Sequence, residues 1–376
     1  MGINPLRGIQ EFGQSLWQDD IQRNRILFGE LKRLITVDGI RGVTSNPSIF
    51  EKAIGASRDY DDDIRRFARQ GLPAAQIYQA LTVKDVQLAA DLFRPLYDLS
   101  DGQHGLVSLE VNPHLARDAD ATIAEARRLW HALERPNVMI KVPATEQGLT
   151  CIRQLIREGL NINVTLLFGL ARYRQVAEAY IEGLEARAAA GLSPSRIASV
   201  ASFFLSRIDL GVDPLLKQII DNGRSGRDKA RRCYGQVAIA SAKRAYAIYQ
   251  ETFEGERFRA LAQKGARPQR LLWASTSTKE PEFSDIKYVE ALIGPNTVNT
   301  LPTETLDAYR DHGRPAQRLT QEMDRAQEVL AGLAGLDIPI DRVAQSLEDQ
   351  GIDKFVRAYD SLLDTLEKAH TAALRG

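Results

Sequence analysis

Short runs of β-branched and apolar residues alternate along the chain with longer stretches of helical periodicity. Within these runs, hydrophobic and polar side chains alternate with a period of two, as they do in strands. The predicted strands are residues 15–19, 42–46, 106–111, 137–142, 161–166, 197–204, 270–275 and 297–300. Strands separated by helices are typical of parallel βα units. The eight predicted strands therefore indicate an α/β fold, a closed (β/α)8 TIM barrel.

Two of the predicted connections are longer than a minimal βα crossover. Residues 57–99 contain two amphipathic helical patterns, and residues 213–268 contain one helix at 213–222 and another from about 229 to 264. The segment TLPTETLDAYRDHG and the residues at about 340–369 predict further helices after the last strand. We predict one domain over residues 1–376, with the core barrel at about 15–305 and C-terminal helices at about 306–376.

The same alternation predicts which side chains point toward the barrel axis. On the fifth strand Ile162 and Val164 face one way, whereas Asn163 and Thr165 face the other. The apolar face must pack on helices, so the polar face lines the interior, and barrel enzymes carry their catalytic groups at the C-terminal ends of the strands. The residues predicted to meet there are Asp19, Asn46, Glu110, Lys141, Asn163, Thr165 and Ser202. An antiparallel sheet with one wet face would need hairpin turns, and most connections are too long for those.

Lys141 lies within the apolar run NVMIKVPAT. Burial disfavours the charged form of an amine, and a neutral lysine is a nucleophile toward carbonyl carbons. The competing interpretation is a structural ion pair with Glu110, because such pairs are also buried in proteins. The surrounding acid, amide and hydroxyl groups favour catalysis through a Schiff base.

Composition narrows the classes of partner. The chain has 49 basic and 49 acidic residues, so we expect no general attraction to nucleic acid or to an acidic membrane. An anionic ligand must then be held by a few well-placed cations. The first residues show no secretory signal, and no apolar run is long enough to cross a membrane, so we expect a cytoplasmic protein. The five histidines show no paired spacing on a strand, and neither a metal nor another cofactor is expected.

Six segments together resemble the transaldolase family: GVTSNPSIF, SLEVNP, NVMIKVPAT, GLNINVTLLF, SFFLSRID and LLWAS. They follow the order and spacing of that family, and the longer inserts resemble its larger bacterial form. The resemblance implies a class I aldolase-type barrel whose Schiff-base lysine matches Lys141. It also implies transfer of a dihydroxyacetone unit from sedoheptulose 7-phosphate or fructose 6-phosphate to glyceraldehyde 3-phosphate or erythrose 4-phosphate, in the non-oxidative pentose phosphate pathway.

The resemblance further implies roles for the acidic and hydroxyl residues. Asp19 matches the group that exchanges a proton with the C4 hydroxyl of the sugar. Its neighbour Asp20 is disfavoured for this role, because its parity points away from the barrel. Glu110 and Thr165 match the pair that holds a catalytic water.

Other residues are implied to bind the substrate. Asn46 and Asn163 match amides that bind the dihydroxyacetone hydroxyls, although the sequence NPS also suits Asn46 as a turn former. Ser202 and Arg207 match ligands of the phosphate group. Many relatives carry an arginine after the seventh strand, where this chain reads ASTSTKEPEF and offers Lys279. A solvated surface lysine is the alternative interpretation of Lys279.

The residue type at the position of Phe204 distinguishes two related activities, transfer and release of dihydroxyacetone. Fructose-6-phosphate aldolases carry a tyrosine at the matching position, and a phenylalanine implies a drier site that favours transfer over release of free dihydroxyacetone. A class I lyase, a metal-dependent aldolase and a non-catalytic sugar-phosphate-binding barrel are the alternatives. The intact set of acid, lysine and amide positions disfavours the last of these. The sequence does not determine the oligomeric state, and a homodimer is the assembly that we consider.

Overall fold

Eight parallel strands pair in chain order and close into a barrel in the computed structural model, which describes residues 4–223 and 225–375. The strands are β1 (Gln14–Gln18), β2 (Gly42–Val43), β3 (Leu106–Glu110), β4 (Val138–Pro143), β5 (Ile162–Leu167), β6 (Ser199–Phe204), β7 (Arg270–Ala274) and β8 (Thr297–Leu301). Each predicted strand is present, with ends that differ by at most three residues. The prediction of a closed (β/α)8 barrel is confirmed. Residues 1–3, 224 and 376 of the predicted domain lie outside the described residues.

Helices connect the strands and surround the barrel. They are α1 (Pro5–Gln10), α2 (Arg23–Leu27), α3 (Glu30–Arg33), α4 (Pro47–Gly55), α5 (Asp61–Arg69), α6 (Ala74–Leu99), α7 (Ala119–Leu133), α8 (Glu146–Glu158), α9 (Leu170–Ala189), α10 (Ser206–Asp221), α11 (Arg227–Cys233), α12 (Val237–Phe253), α13 (Glu256–Ala262), α14 (Lys287–Ala291), α15 (Thr303–His312), α16 (Met323–Ala334) and α17 (Ile340–Arg375). A π-helical turn at Leu34–Asp38 and a 3-10 turn at Pro113–Leu115 complete the elements.

One predicted helix is wrong. The pattern at about 229–264 forms three helices, α11, α12 and α13, instead of one. The first break falls at Gly235, whose φ of 66° is left-handed and incompatible with a continuing right-handed helix. Its N–H donates to Asp213 Oδ1 at 2.9 Å, so the break is fixed by a side chain of α10. Gly255 separates the other two helices.

Hydrogen bonds across the barrel show that Ser108, Lys141 and Asn163 point into its interior, as their parity predicts. Asn163 Nδ2 donates to Ser108 Oγ at 3.0 Å, which joins β5 to β3 past the intervening β4. Lys141 Nζ donates to the carbonyl oxygen of Ser45 at 2.9 Å, which joins β4 to the segment after β2. Side chains of non-adjacent strands meet in this way only inside a barrel. Glu110 has the parity of Ser108 and so shares this interior.

Apolar side chains on the other face of the strands pack between the barrel and its helices. Val107, Ile140, Ile162 and Val164 are fully buried. Burial of each such side chain stabilises the fold by about 1.5–3 kcal/mol. In the part of the chain that the structure describes, no helix is both long and apolar enough to span a membrane.

The C-terminal helix α17 lies beside the mouth of the barrel. It packs against α4, α5 and α6, which follow β2, and against α10, which follows β6. Two of its residues, Lys354 and Phe355, reach the cavity at the strand ends. The helix therefore forms part of the wall around that cavity.

Candidate active site

A cavity of about 560 Å³ opens at the C-terminal ends of the strands. This volume suits a small organic ligand. Eight of the ten residues predicted for the site line it: Asp19, Asn46, Lys141, Thr165, Ser202, Phe204, Arg207 and Lys279. Glu110 and Asn163 are buried behind the cavity wall.

Lys141 lies at the base of this cavity and is 4% exposed. Its Nζ donates to the Ser45 carbonyl at 2.9 Å and lies 3.2 Å from Glu110 Oε2. The ion pair between Lys141 and Glu110, which is the competing interpretation of this lysine, is therefore present. It coexists with access to the cavity, so pairing and a nucleophilic role are compatible.

Glu110 lies behind Lys141 and is held by the pairing of β3 with β4. Burial raises the pKa of the Glu110 carboxyl, and the nearby Lys141 ammonium opposes this increase. Glu110 also lines a separate cavity of about 30 Å³ beside Tyr78 and Tyr359. A space of that size holds about one water molecule. Glu110 thus lies between the lysine and a pocket that can hold water.

Asp19 follows the last residue of β1 and faces the cavity. Thr44 Oγ1 donates to Asp19 Oδ1 at 2.6 Å and also lies 2.7 Å from Thr300 Oγ1. Burial raises the pKa of the Asp19 carboxyl, while Lys141 and the Thr44 hydrogen bond lower it. Thr44 is not among the residues predicted for the site, although its parity, shared with Gly42 and Asn46, indicates that it faces inward.

Asp20 departs from its predicted orientation, because it lines the same cavity as Asp19. The regular strand ends at Gln18; Asp19 still pairs with Leu301 through its main-chain N–H, and the alternation fails at Asp20. Asp20 Oδ2 lies 2.8 Å from Arg25 Nη1 and also accepts a hydrogen bond from Gln22. Its charge is therefore neutralised by a cation, whereas Asp19 accepts a single hydroxyl bond.

The two asparagines of the site lie in different surroundings. Asn163 Oδ1 accepts from Ser202 Oγ at 2.7 Å and its Nδ2 donates to Ser108 Oγ, one layer below the cavity. Asn46 is the N-cap of α4, and its Oδ1 accepts from the Ile49 N–H at 3.0 Å. The turn-forming role considered for Asn46 is thus present. It leaves the Nδ2 of this cavity-lining residue available to a ligand.

Backbone distortion surrounds Thr165. The pairing of β5 with β6 shifts register between Val164 and Leu167, and Leu166 has a φ of 55°. Such a left-handed residue costs about 1–3 kcal/mol, and bulges re-aim neighbouring side chains. Thr165 Oγ1 is buried and has no hydrogen-bond partner within the described residues. Ser275, directly after β7, has the same φ of 55°.

The side of the cavity near β6 combines aromatic and cationic groups. The rings of Phe204 and Phe168 lie 5.2 Å apart, and Arg207 Cζ lies 5.7 Å from the centre of the Phe204 ring. Burial lowers the pKa of the Arg207 guanidinium. Lys279 is exposed at the rim. This side can hold an anionic group against an apolar wall.

Among residues 4–223 and 225–375, no group of three or more histidine, cysteine, aspartate or glutamate side chains is arranged to bind a metal ion. The cavity combines lysines, arginines, carboxylates and hydroxyls.

Comparison with known proteins gives consistent matches over nearly the whole chain. Residues 16–366 match the family model described as Transaldolase/Fructose-6-phosphate aldolase. A protein named Transaldolase from Trichodesmium erythraeum (strain IMS101) is 48% identical over 374 residues, which cover 98% of each chain. Proteins of the same name from Thiobacillus denitrificans and Thermobifida fusca are 46% and 45% identical, over 96% and 98% of this chain and 99% and 100% of theirs.

Proposed function

The chain belongs to the transaldolase/fructose-6-phosphate aldolase family, and we propose that it transfers a dihydroxyacetone unit between sugar phosphates through a Schiff base on Lys141. The observation that carries this proposal is the position of the Lys141 amine. It is desolvated, faces the cavity and lies 3.2 Å from a buried carboxylate. Such surroundings suit an amine that attacks a carbonyl carbon.

Glu110 prepares the lysine for attack. Glu110 Oε2 lies 3.2 Å from Lys141 Nζ, close enough for a proton to pass from the amine to the carboxylate. The neutral amine then bonds to C2 of the donor ketose phosphate and forms a carbinolamine. Loss of the C2 oxygen as water gives the protonated Schiff base. Glu110 and Thr165 hold the water that leaves here and returns at the final hydrolysis.

Asp19 acts on the C4 hydroxyl of the bound sugar. It removes the hydroxyl proton, the C3–C4 bond breaks, and the bonding electrons move to the iminium nitrogen to give an enamine. The departing aldose phosphate takes C4 as its aldehyde. An acceptor aldose phosphate then bonds to C3, and Asp19 returns the proton to the new hydroxyl. Proton transfer by such a placed group contributes about 10²–10⁴-fold in rate.

Substrate groups away from the reacting bond are bound on the other walls. Arg207 and Ser202 hold the phosphate group, since a guanidinium fork suits a bidentate phosphate contact. Lys279 adds a point charge in place of a second arginine. The Nδ2 of Asn46 binds the hydroxyls of the dihydroxyacetone unit, and Asn163 is the second amide that we propose to bind them.

Transfer is favoured over release of free dihydroxyacetone by the aromatic wall. Phe204 and Phe168 contribute no hydroxyl that could order a water beside the enamine. The similar proteins from three bacteria also carry the name Transaldolase. We further propose that this single-domain enzyme works in the cytoplasm, in the non-oxidative pentose phosphate pathway. A homodimer stays a prediction.

The direct test is an assay with fructose 6-phosphate as donor and erythrose 4-phosphate as acceptor. A coupled enzyme follows glyceraldehyde 3-phosphate, which we expect to form over many turnovers only when the acceptor is present, and in no more than one equivalent per active site without it. Free dihydroxyacetone formed without acceptor would indicate a lyase. Binding of fructose 6-phosphate without any product would indicate a non-catalytic barrel.

A further inference from the structure

Four basic side chains line the cavity without acidic partners. They come from different elements: Lys52 from α4, Arg207 from α10, Lys279 from the segment after β7, and Lys354 from α17. Within the described residues, none of the four has a carboxylate within the 4.0 Å ion-pair distance. A concave surface with several unpaired charges of one sign attracts an ion of the opposite sign.

The backbone of α17 lies directly against the arginine of this group. A Cβ atom added at Gly351 would lie 3.4 Å from Arg207 Nη1 and 2.9 Å from Leu166 Cδ2. A side chain at this position would therefore press on the distorted end of β5. Lys354 lies one helical turn after Gly351 and so projects from the same face of α17. Phe355, which is 3% exposed, anchors that turn in the cavity wall.

The charges in the cavity are separated into two groups. Burial raises the pKa of the Asp19 carboxyl, and the nearby carboxyls of Asp20 and Glu304 add to this increase. Partial desolvation lowers the pKa of the Lys354 ammonium, and the nearby cations Arg207, Lys279 and Lys52 lower it further. A ligand with an anionic end would reduce the electrostatic repulsion among the cations. Its anionic end would bind near them, and its other end would lie near Asp19 and Asp20.

We infer that Lys354 of the C-terminal helix binds the substrate phosphate, and that α17 thereby completes a phosphate site that the barrel alone builds incompletely. This inference rests on the proposed function, because the phosphate is that of the sugar phosphates. Lys354 is exposed at the rim, so it reaches the phosphate as a flexible point charge. It selects phosphorylated sugars and takes no part in breaking the carbon–carbon bond.

The test compares Lys354→Ala with Lys368→Ala. Both lysines are exposed on α17, and Lys368 does not line the cavity. By helical rise, Lys368 lies about 21 Å further along the axis. We expect Lys354→Ala to raise KM for fructose 6-phosphate about 5–30-fold, as for loss of a partly solvated charged contact, with kcat changed less than about two-fold. Lys368→Ala should match the unmodified enzyme, and Lys354→Arg should retain most of the affinity.

Two further measurements separate phosphate binding from a structural role. Titration calorimetry with inorganic phosphate should show the same loss of affinity in Lys354→Ala, whereas kcat/KM for unphosphorylated fructose should stay unchanged. Equal phosphate affinity in Lys354→Ala and Lys368→Ala would overturn the inference. An equal loss of activity toward fructose and fructose 6-phosphate would also overturn it, since Lys354 would then act through the fold.

The calorimetric measurement also separates this inference from the proposed function. If the unmodified protein forms no glyceraldehyde 3-phosphate, the proposed transfer fails. Phosphate binding by the unmodified protein, and its loss in Lys354→Ala, would still show that α17 contributes to an anion site. Undetectable phosphate binding by an active enzyme would reject the inference about Lys354 and leave the proposed function standing.

Discussion

The two ends of the barrel bury the same kinds of polar side chain but give them different partners. At the amino-terminal end, Asn161 donates to the main-chain carbonyl of Val138 at 3.0 Å and accepts from the main-chain N–H of Ala198 at 2.8 Å. Two residues further along the chain, Asn163 bonds instead to the hydroxyls of two serines. Burial and residue type are the same for both asparagines. The partner therefore distinguishes a structural amide from one that belongs to the site.

Two buried lysines show the same contrast. Lys243 of α12 is 5% exposed, and its Nζ donates to the carbonyl oxygens of Arg318 at 3.1 Å and Gln321 at 2.5 Å. It holds the chain between α15 and α16 against α12. Lys141 is 4% exposed but contacts a carboxylate and faces a cavity. The structure thus supplies a control lysine for the proposed nucleophile.

The largest expected effect comes from substituting these two lysines by methionine. Lys141→Met should lower kcat by at least about 10⁴-fold, as loss of a catalytic nucleophile does, with the circular dichroism spectrum unchanged. Lys243→Met should keep kcat within about two-fold and lower the melting temperature, because it removes two partly buried hydrogen bonds to main-chain carbonyl groups. Steady-state kinetics and thermal melts of both variants make the comparison. Similar losses of kcat would remove the distinction between the two sites.

A smaller effect is expected for the two adjacent aspartates at the mouth. Asp19→Asn should lower kcat by about 10²–10⁴-fold with little change in donor affinity, because it removes the proposed base. Asp20→Asn should change kcat much less, since Asp20 is paired with Arg25. Single-turnover cleavage of fructose 6-phosphate measures the step directly. A greater loss for Asp20→Asn would assign the proton transfer to Asp20.

The asparagines of β5 test the contrast between the ends of the barrel. Asn161→Ala should lower the free energy of unfolding by about 1–3 kcal/mol, because main-chain groups lose their partners, and should leave kcat/KM of the folded enzyme unchanged. Asn163→Ala should lower kcat/KM about ten-fold, the equivalent of one hydrogen bond, with a smaller loss of stability. Urea unfolding and kinetics on the same samples provide both numbers. A loss of kcat/KM in Asn161→Ala, with a loss of stability alone in Asn163→Ala, would contradict the assignment of the two amides.

The smallest effect is expected at a buried acid away from both ends. Burial and the nearby Asp209 raise the pKa of Asp213 from its ordinary value of 3.8 to about 7. The folded state then holds a proton that the unfolded state has released, so its contribution to stability is present below about pH 4 and is lost as the pH rises through 7.

An asparagine at position 213 has no proton to lose and can still accept from the Gly235 N–H. Asp213→Asn should therefore melt about 1–3 °C higher than the unmodified protein at pH 8, with a smaller difference at pH 5. The pH profile of kcat should not change, because Asp213 does not line the cavity. A stabilisation that is larger at pH 5 than at pH 8 would contradict a raised pKa at Asp213.

The strands and most of the ring of polar residues were predictable because both depend on local alternation. A period of two identifies a strand and also decides which side chains face inward, so Glu110, Lys141 and Asn163 were placed together from the sequence. The same rule gave a wrong orientation for Asp20, since the regular strand ends at Gln18. Asp19 and Thr44 still donate main-chain hydrogen bonds to the neighbouring strand, whereas Asp20 lies beyond the last such bond of β1.

The contribution of α17 was not predictable from the sequence. Its helical periodicity shows that one face is buried but not which surface covers that face. The close approach of Gly351 to Arg207, and with it the position of Lys354, depends on packing between segments far apart in the chain. The break at Gly235 depends in the same way on a contact with α10.

Reductive trapping tests the central claim, that Lys141 forms a Schiff base, most directly. The protein is treated with borohydride in the presence and absence of fructose 6-phosphate, digested, and mapped by mass spectrometry. We predict a reduced sugar adduct on the peptide that contains Lys141, formed only when the sugar is present, and no adduct at Lys243. An unmodified Lys141 peptide, or an adduct confined to another lysine, would contradict the proposed mechanism.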